Sequence, residues 1–274
     1  MDERKRIHID FVSGTDRGLV RMNNEDACLV AQLEKKGYCI VVLADGMGGH
    51  RKGDIASRLA VNSVIERLYQ ELEADDPEEG IRRKIVEATE RANVKVYLES
   101  VADESMSGMG TTLLVAVVHD GVIQIGNIGD SRAYFLRDEK EFYQVTRDHS
   151  YVQYLIDHGD LSERDAEQHP ARHMLVRALG MPDYVNTDLF RWELKLGDRW
   201  LFCSDGLHGY VPAIEIASIL REAKSASSAV QDLIDAANRV GGRDNITVIV
   251  GFVEERDPRE IQDPNLESQT QGFS

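Results

Sequence analysis

Three aspartates in this sequence stand at the end of an apolar run, beside a glycine or an asparagine. Asp45 ends the run Val42-Leu43-Ala44, Asp205 follows Leu201-Phe202-Cys203-Ser204, and Asp244 precedes Asn245 and the run Ile246–Val250. A carboxylate at the mouth of a buried strand is costly unless a positive charge faces it. Because glycines beside them allow sharp turns that bring main-chain carbonyls close, the pattern predicts a shared metal site.

The ligand type indicates a hard divalent cation. Mg²⁺ and Mn²⁺ prefer carboxylate, carbonyl and water oxygens, and none of the three turns has the paired-histidine spacing typical of zinc. Two such ions about 4 Å apart, sharing a carboxylate, could deprotonate a bridging water that attacks phosphorus. The alternative is that each Asp-Gly pair only forms a turn.

Two further segments make simple turns a poor explanation. Asp130 lies in Gly126–Arg132, between two predicted strands, and Arg21 lies four residues before the acidic pair Glu25-Asp26. The planar guanidinium of arginine matches the geometry of a phosphate group.

The elements that must position these residues are strands in hairpin order with helices inserted in pairs. Cys39–Ala44 and Thr112–Val118 are continuous apolar runs, typical of strands covered on both faces, and Asp120-Gly121 predicts a hairpin turn. Apolar periodicity predicts helices over 55–72 and 81–96. We expect further strands at 132–136, 142–146, 188–194, 199–204 and 246–253, and further helices at 213–222 and 226–240.

This order favours an α+β fold, a four-layer αββα sandwich of two antiparallel sheets between helices. The polar segment of about 148–184, with short helices predicted at 150–158 and from Ser162, interrupts the strands and is interpreted as a flap over a site. We therefore expect one catalytic domain over 1–253, followed by an acidic, disordered tail over 254–274.

Composition excludes several classes of function. The formal net charge of −16 over 274 residues, without a Lys/Arg stripe, argues against nucleic acid or an anionic membrane as a partner. No apolar run approaches the roughly 20 residues that span a bilayer, and the first residues lack a signal-peptide core, so we expect a cytoplasmic protein. Cys28, Cys39 and Cys203 form no CxxC pair and are expected to be small buried hydrophobic residues.

Six segments, in order, resemble the metal-dependent serine/threonine protein phosphatases of the PP2C type, in their bacterial form. The resemblance covers roughly 12–253 and implies a β-sandwich flanked by helices. The segments are Arg17-Gly18-Leu19-Val20-Arg21-Met22-Asn23-Asn24-Glu25-Asp26, Ala44-Asp45-Gly46-Met47-Gly48-Gly49-His50, Met109-Gly110-Thr111-Thr112, Ile128-Gly129-Asp130-Ser131-Arg132, Cys203-Ser204-Asp205-Gly206-Leu207 and Arg243-Asp244-Asn245-Ile246-Thr247.

The resemblance also implies roles for individual residues. Asp45 would bridge two Mn²⁺ or Mg²⁺ ions, with the Gly46 carbonyl on one ion and Asp205 and Asp244 on the other. Further residues would complete the site: Glu25 and Asp26 through metal-bound waters, Arg21 on the substrate phosphate, and Asp130 with Asp205 on a third, weaker metal. A metal-bridging hydroxide would hydrolyse phosphoserine or phosphothreonine directly, without a phosphoenzyme.

One position departs from the animal members of this family, which have a histidine directly after the Asp-Gly pair. This sequence has Met47, whose thioether cannot donate a proton, so a metal-bound water is expected to protonate the leaving group, with His50 as the alternative. The other histidines near the motifs are expected at the surface or in caps: His149, His158, His169, His173 and His208.

Two hypotheses on function follow. The first is a protein phosphatase, with a serine/threonine kinase or its targets as candidate partners. The second is a non-catalytic phosphoprotein-binding module of the same fold, for which the loss of a metal aspartate would be the mark. The sequence has no Cys-x5-Arg loop and no GxxxxGK[ST] motif, which excludes a cysteine-dependent phosphatase and argues against an ATP-driven enzyme.

Overall fold

Two antiparallel β-sheets form the centre of the fold. The computed structural model describes residues 7–48, 51–138, 141–166 and 168–255. Within these residues the strands are β1 (Ile7–Asp16), β2 (Asp26–Leu33), β3 (Tyr38–Met47), β4 (Gly110–Thr111), β5 (Leu113–His119), β6 (Val122–Ile128), β7 (Arg132–Arg137), β8 (Glu141–Gln144), β9 (Asp188–Glu193), β10 (Arg199–Cys203) and β11 (Ile246–Glu255). The α-helices are α1 (Arg51–Glu71), α2 (Glu78–Ala102), α3 (Tyr151–Asp157), α4 (Glu163–Ala166), α5 (Asp205–His208), α6 (Ala213–Glu222) and α7 (Ala226–Arg239).

Each sheet combines strands from distant parts of the chain. The first has the order β1-β11-β10-β7-β8, and the second has the order β2-β3-β5-β6-β9, with β4 paired to β3. All the paired strands are antiparallel. The first and last described strands, β1 and β11, lie side by side over ten residue pairs from Ile7–Glu255 to Asp16–Ile246.

Three apolar clusters separate four layers. Alternate residues of β3 point to opposite faces, so Val41 and Leu43 pack between the sheets while Ile40 and Val42 pack against α1 and α2. On the far side, the first sheet packs against α6 and α7, with Leu233 among the buried residues. The predicted αββα sandwich is therefore confirmed, and it explains why β3 is apolar along its whole length.

Most of the predicted elements are found within a few residues of their expected bounds. Asp120 and Gly121 have positive φ values of 46° and 72° and connect β5 to β6, as a two-residue hairpin of the primed type requires. Strands β1 and β2, by contrast, were not predicted. Their side chains are a mixture of buried and exposed residues, so they lack a long apolar run.

The polar segment over 148–184 lies between β8 and β9, and so joins the edge of one sheet to the edge of the other. It carries α3 and α4. At the other end of the domain, β11 includes Glu254 and Glu255, two residues of the predicted tail, and 256–274 lie outside the described residues. None of the described helices is long and apolar enough to cross a membrane.

An ion pair between the end of β7 and the start of β10, at one end of the first sheet, gives a test of the fold. Asp198 is 1% exposed and accepts hydrogen bonds from Arg137 at 2.8 Å and 2.6 Å and from the Lys195 amide at 2.7 Å. In Asp198→Ala the Arg137 guanidinium, on a side chain that is 15% exposed, loses its charge partner and keeps the Glu193 carbonyl as an acceptor, so we expect urea denaturation to show a loss of about 3 kcal/mol in the free energy of unfolding. Glu87, on a side chain that is 43% exposed, lies 3.7 Å from Arg83 and is the control, and Glu87→Ala should cost less than about 1 kcal/mol. Equal losses in both variants would contradict the prediction.

Candidate metal centre

Strand ends from both sheets bring the acidic residues together. Asp26 begins β2 and is the register partner of Asp45, near the end of β3, so the two aspartates lie on neighbouring strands of the second sheet. Asp205 follows β10 and Asp244 precedes β11, and these strands are neighbours in the first sheet. Asp45 lies close enough to four other aspartates for their charges to raise its pKa: Asp26, Asp205, Asp130 and Asp244.

Neutral side chains hold the backbone of these turns. Thr112 donates its hydroxyl proton to Ser131, or accepts one from it, at 2.8 Å, and its oxygen accepts the Asp45 amide at 2.9 Å. Thr111 donates to the Asp45 carbonyl at 2.9 Å. These contacts give the Gly-Thr-Thr segment a role that its sequence did not indicate, because they connect the Asp45 turn to the residue that follows Asp130.

Asn245 performs the same task for the loop that carries Arg21. It is 5% exposed, its Oδ1 accepts the Glu25 amide at 2.8 Å, and its Nδ2 donates to the carbonyls of Arg17 and Asn23 at 2.9 Å. Within this loop, Arg21 donates from Nη2 to Asp244 at 2.7 Å. The position of Arg21 therefore depends on the residue that follows Asp244 as well as on Asp244 itself.

The clustered carboxylates disturb one another strongly. Burial, reinforced by the charges of Asp26 and Asp205, raises the pKa of Asp45 well above its usual value. Burial also raises the pKa of Asp26 to about 7, against the effect of hydrogen bonds from Thr247 and Ser204. Burial and the charge of Asp205 raise the pKa of Asp130 in the same way. Such a cluster is stabilised in its charged form by a cation.

Asp205 behaves differently. Burial opposes its ionisation, but the hydrogen bond from His173, the charges of His208 and His173 and a hydrogen bond from Asp45 together outweigh burial and lower the pKa of Asp205. The Nδ1 of His173 lies 3.4 Å from Oδ2 of Asp205, so the segment over 148–184 reaches the acidic cluster.

The donor set fits small divalent cations. Oδ1 of Asp26 is buried and has no hydrogen-bond partner, although Ser204 donates to Oδ2 at 2.8 Å. Two further oxygens pack against Gly53 of α1, where a larger side chain would not fit. A Cβ at this position would lie 2.5 Å from Oε2 of Glu25 and 2.7 Å from the Gly46 carbonyl oxygen. Carboxylate and carbonyl oxygens are the ligands that Mg²⁺ and Mn²⁺ prefer.

Among the described residues, no group of three or more His, Cys, Asp or Glu side chains is already arranged to hold a metal ion without some movement of the side chains.

The predicted histidine positions need correction. His173 is exposed, as expected, but His149 is 6% exposed and His208 is partly buried, with Nε2 donating to the Asp130 carbonyl at 3.0 Å. Burial lowers the pKa of His149, and burial together with Arg132 lowers the pKa of His208 to about 4. His50, the alternative proton donor, lies outside the described residues.

Comparison with known proteins identifies similar chains. Residues 14–249 match the family model for protein phosphatase 2C. The serine/threonine phosphatase stp of Listeria welshimeri is 40% identical over 247 residues, which cover 89% of this chain and 95% of that protein. The serine/threonine phosphatase structure from S. agalactiae has a TM-score of 0.84 at 35% identity and covers 90% of this chain and all of its own. The catalytic domain of the phosphatase PstP, in complex with two manganese ions, has a TM-score of 0.78 at 33% identity, with 91% and 100% coverage.

The close packing against Gly53 gives a test of the metal site. In Gly53→Ala the new methyl group displaces the Gly46 carbonyl or the Glu25 carboxylate, so we expect Mn²⁺ affinity to fall by about tenfold or more in calorimetric titration. Gly80, in the first turn of α2, is the matched control, because a Cβ at this position would come no closer than 3.3 Å to its nearest neighbour, Pro77. Gly80→Ala should leave Mn²⁺ affinity unchanged, and unchanged affinity in Gly53→Ala as well would exclude this arrangement of ligands.

Proposed function

Because this chain belongs to the protein phosphatase 2C family, we propose that its acidic cluster is the metal centre of the reaction. The protein is a metal-dependent serine/threonine phosphatase, and its cofactor is Mn²⁺ or Mg²⁺. The observation that carries the proposal is the convergence of buried, mutually repelling carboxylates from both sheets around Asp45.

Each residue of the cluster has a proposed role. Asp45 would hold both principal ions, together with the Gly46 carbonyl for one ion and Asp205 and Asp244 for the other. Glu25 and Asp26 would hold waters of these ions, and Asp130 would share a third, weaker ion with Asp205. The raised pKa values of Asp45, Asp26 and Asp130 support this assignment, because a divalent cation favours the ionised form of each.

When bound, the two principal ions supply a water of lowered pKa to attack phosphorus and positive charge for the phosphate oxygens. The residues of the chain then orient the phosphate. Arg21 is half exposed and uses Nη2 to bond to Asp244, which directs its guanidinium along the edge of the acidic cluster. We propose that its remaining donors bind the phosphate of a phosphoserine or phosphothreonine.

The substrate is a phosphorylated protein, and we propose that it is a serine/threonine kinase or a target of such a kinase. We also propose that the enzyme works in the cytoplasm, where kinases that use ATP phosphorylate their targets. Both proposals can be tested by comparing phosphoproteins between cells with and without the enzyme, after fractionation.

The metal ligands give the decisive test of the reaction. Asp45→Asn and Asp205→Asn each remove a ligand charge without changing the size of the side chain. Changing a residue that only supports a metal ligand typically lowers activity by roughly 10–100-fold, so hydrolysis of a phosphothreonine peptide should fall by more than this in both variants. The assay uses the purified protein with EDTA, Mg²⁺ or Mn²⁺. Asp235→Asn, on the exposed surface of α7, is the matched control and should retain full activity.

Either result is informative. Near-normal metal-dependent activity in Asp45→Asn or Asp205→Asn would show that the ligands are assigned wrongly. If the unchanged protein bound the peptide but released no phosphate with any metal, the binding-module hypothesis would replace the phosphatase.

The role of Arg21 is tested separately. Arg21→Ala removes charge-assisted hydrogen bonds that are present in both the bound substrate and the transition state, so KM should rise by about tenfold or more with little change in kcat. The effect should be largest for small phosphate esters, which have few other contacts. Arg239→Ala, an exposed arginine paired with Glu215, controls for net charge. A fall in kcat alone would assign Arg21 to the transition state instead of substrate binding.

A further inference from the structure

Two histidines hold the turn that carries Asp130, one on each side. The Gly129 amide donates to Nδ1 of His149 at 3.0 Å, and Nε2 of His208 donates to the Asp130 carbonyl at 3.0 Å. Gly129 has a φ of 103°, a conformation that only glycine adopts readily, so the turn needs support from its surroundings. The imidazole rings therefore hold the peptide group that precedes Gly129 and the peptide group that follows Asp130.

The partners determine which ring nitrogen carries the proton. An amide can only donate, so Nδ1 of His149 is an acceptor, and in the neutral ring Nε2 carries the proton. This Nε2 lies 3.2 Å from Oδ2 of Asp188 and 2.9 Å from Nη1 of Arg177, which itself donates to Oδ1 of Asp188 at 2.6 Å. A carbonyl can only accept, so Nε2 of His208 carries the proton. The two rings thus use opposite nitrogens and opposite hydrogen-bonding roles on the same turn.

His149 also connects two parts of the flap to the turn. Its amide donates to the Gly129 carbonyl at 2.9 Å, and its carbonyl accepts the Val176 amide at 2.9 Å. The next residue, Ser150, forms a β-bridge with Leu175. The start of the flap and its later stretch at 175–176 therefore meet at His149, directly beside the Asp130 turn.

His208 connects the same turn to the other proposed ligand of the third ion. It lies three residues after Asp205 on the single turn of α5, so one short helix carries both Asp205 and the donor to the Asp130 carbonyl. The two histidines thereby fix Asp130 relative to Asp205 on one side and relative to the flap on the other.

We propose that His149 and His208 are positioning residues that set the distance between the Asp130 and Asp205 carboxylates, and hence the affinity for the third, weaker cation. This inference rests on the proposed function, which assigns that cation to Asp130 and Asp205. The histidines act through the backbone of 129–130 and touch neither the phosphate nor the attacking water.

Amide substitutions test the proposal because they separate the two ring nitrogens. Asparagine places its amide near Nδ1 of histidine, and glutamine places its amide near Nε2. We therefore expect His149→Asn and His208→Gln to bind Mn²⁺ as the unchanged protein does. His149→Gln and His208→Asn lose the bond to the turn, and their weakest Mn²⁺ binding step should be about 10–100-fold weaker.

The readout is the number and affinity of bound Mn²⁺ ions, measured by electron paramagnetic resonance on the metal-stripped full chain without substrate. Thermal unfolding in EDTA shows whether each variant folds. His119, at the end of β5 opposite to Leu113 and the Asp130 turn, contacts the Gly37 carbonyl at 3.1 Å and is the control for losing a histidine that holds a loop. His119→Gln and His119→Asn should leave every Mn²⁺ binding step unchanged.

Asp130→Asn separates this inference from the proposed function. If Asp130→Asn leaves the weakest binding step intact, the assignment of the third ion is wrong and the inference fails with it. If Asp130→Asn removes that step but the Asn and Gln variants behave alike at each histidine, the proposed function stands and the positioning role is overturned. Opposite preferences, Asn at 149 and Gln at 208, support the inference.

Discussion

Repulsion among buried carboxylates is the constraint on which the rest of this structure depends. Asp26, Asp45 and Asp130 have raised pKa values because burial and neighbouring negative charge both disfavour their ionised forms. An unsupported cluster of this kind would separate or take up protons. It is held because each carboxylate lies beside a strand end, and the strands are fixed by apolar layers on both faces of each sheet. The binding of a cation is therefore linked to the stability of the fold, since it relieves repulsion that only the folded chain creates.

The neutral residues around the acidic cluster hold it in the same way. Thr112, Asn245 and His208 make their hydrogen bonds mainly with backbone atoms of the acidic turns and not with the carboxylates. Backbone contacts fix the origin and direction of each aspartate while leaving its oxygens available for a ligand. Three of the aspartates also have side-chain partners, since Ser204 donates to Asp26, Arg21 to Asp244 and His173 to Asp205. In Asp26 the second oxygen remains buried without a partner. Oδ1 of Asp26 thus remains available for a hydrogen bond or a ligand.

The sequence predicted those features that depend on local patterns. Strand β3 has an uninterrupted apolar run, Asp120-Gly121 is a strong turn signal, and the fold class follows from the order of such elements. Strand β1 was missed because its pairing with β11 joins residues about 240 positions apart, and its mixed burial gives only a weak local signal. The same reason explains why His149 and His208 were expected at the surface. A histidine is polar, and only the folded chain shows that both rings close on one buried turn.

Asp244 illustrates why single residues in this centre do not have single roles. Its carboxylate is a proposed metal ligand, and it also forms the ion pair that orients Arg21 at 2.7 Å. A cation bound to Asp244 would compete with Arg21 for the carboxylate, and a phosphate bound to Arg21 would compete with Asp244 for the guanidinium. Substituting Asp244 alters the metal site and the phosphate site together, because Arg21 loses its partner. The effects of changing the two residues cannot be additive, since they are in direct contact and share one interaction.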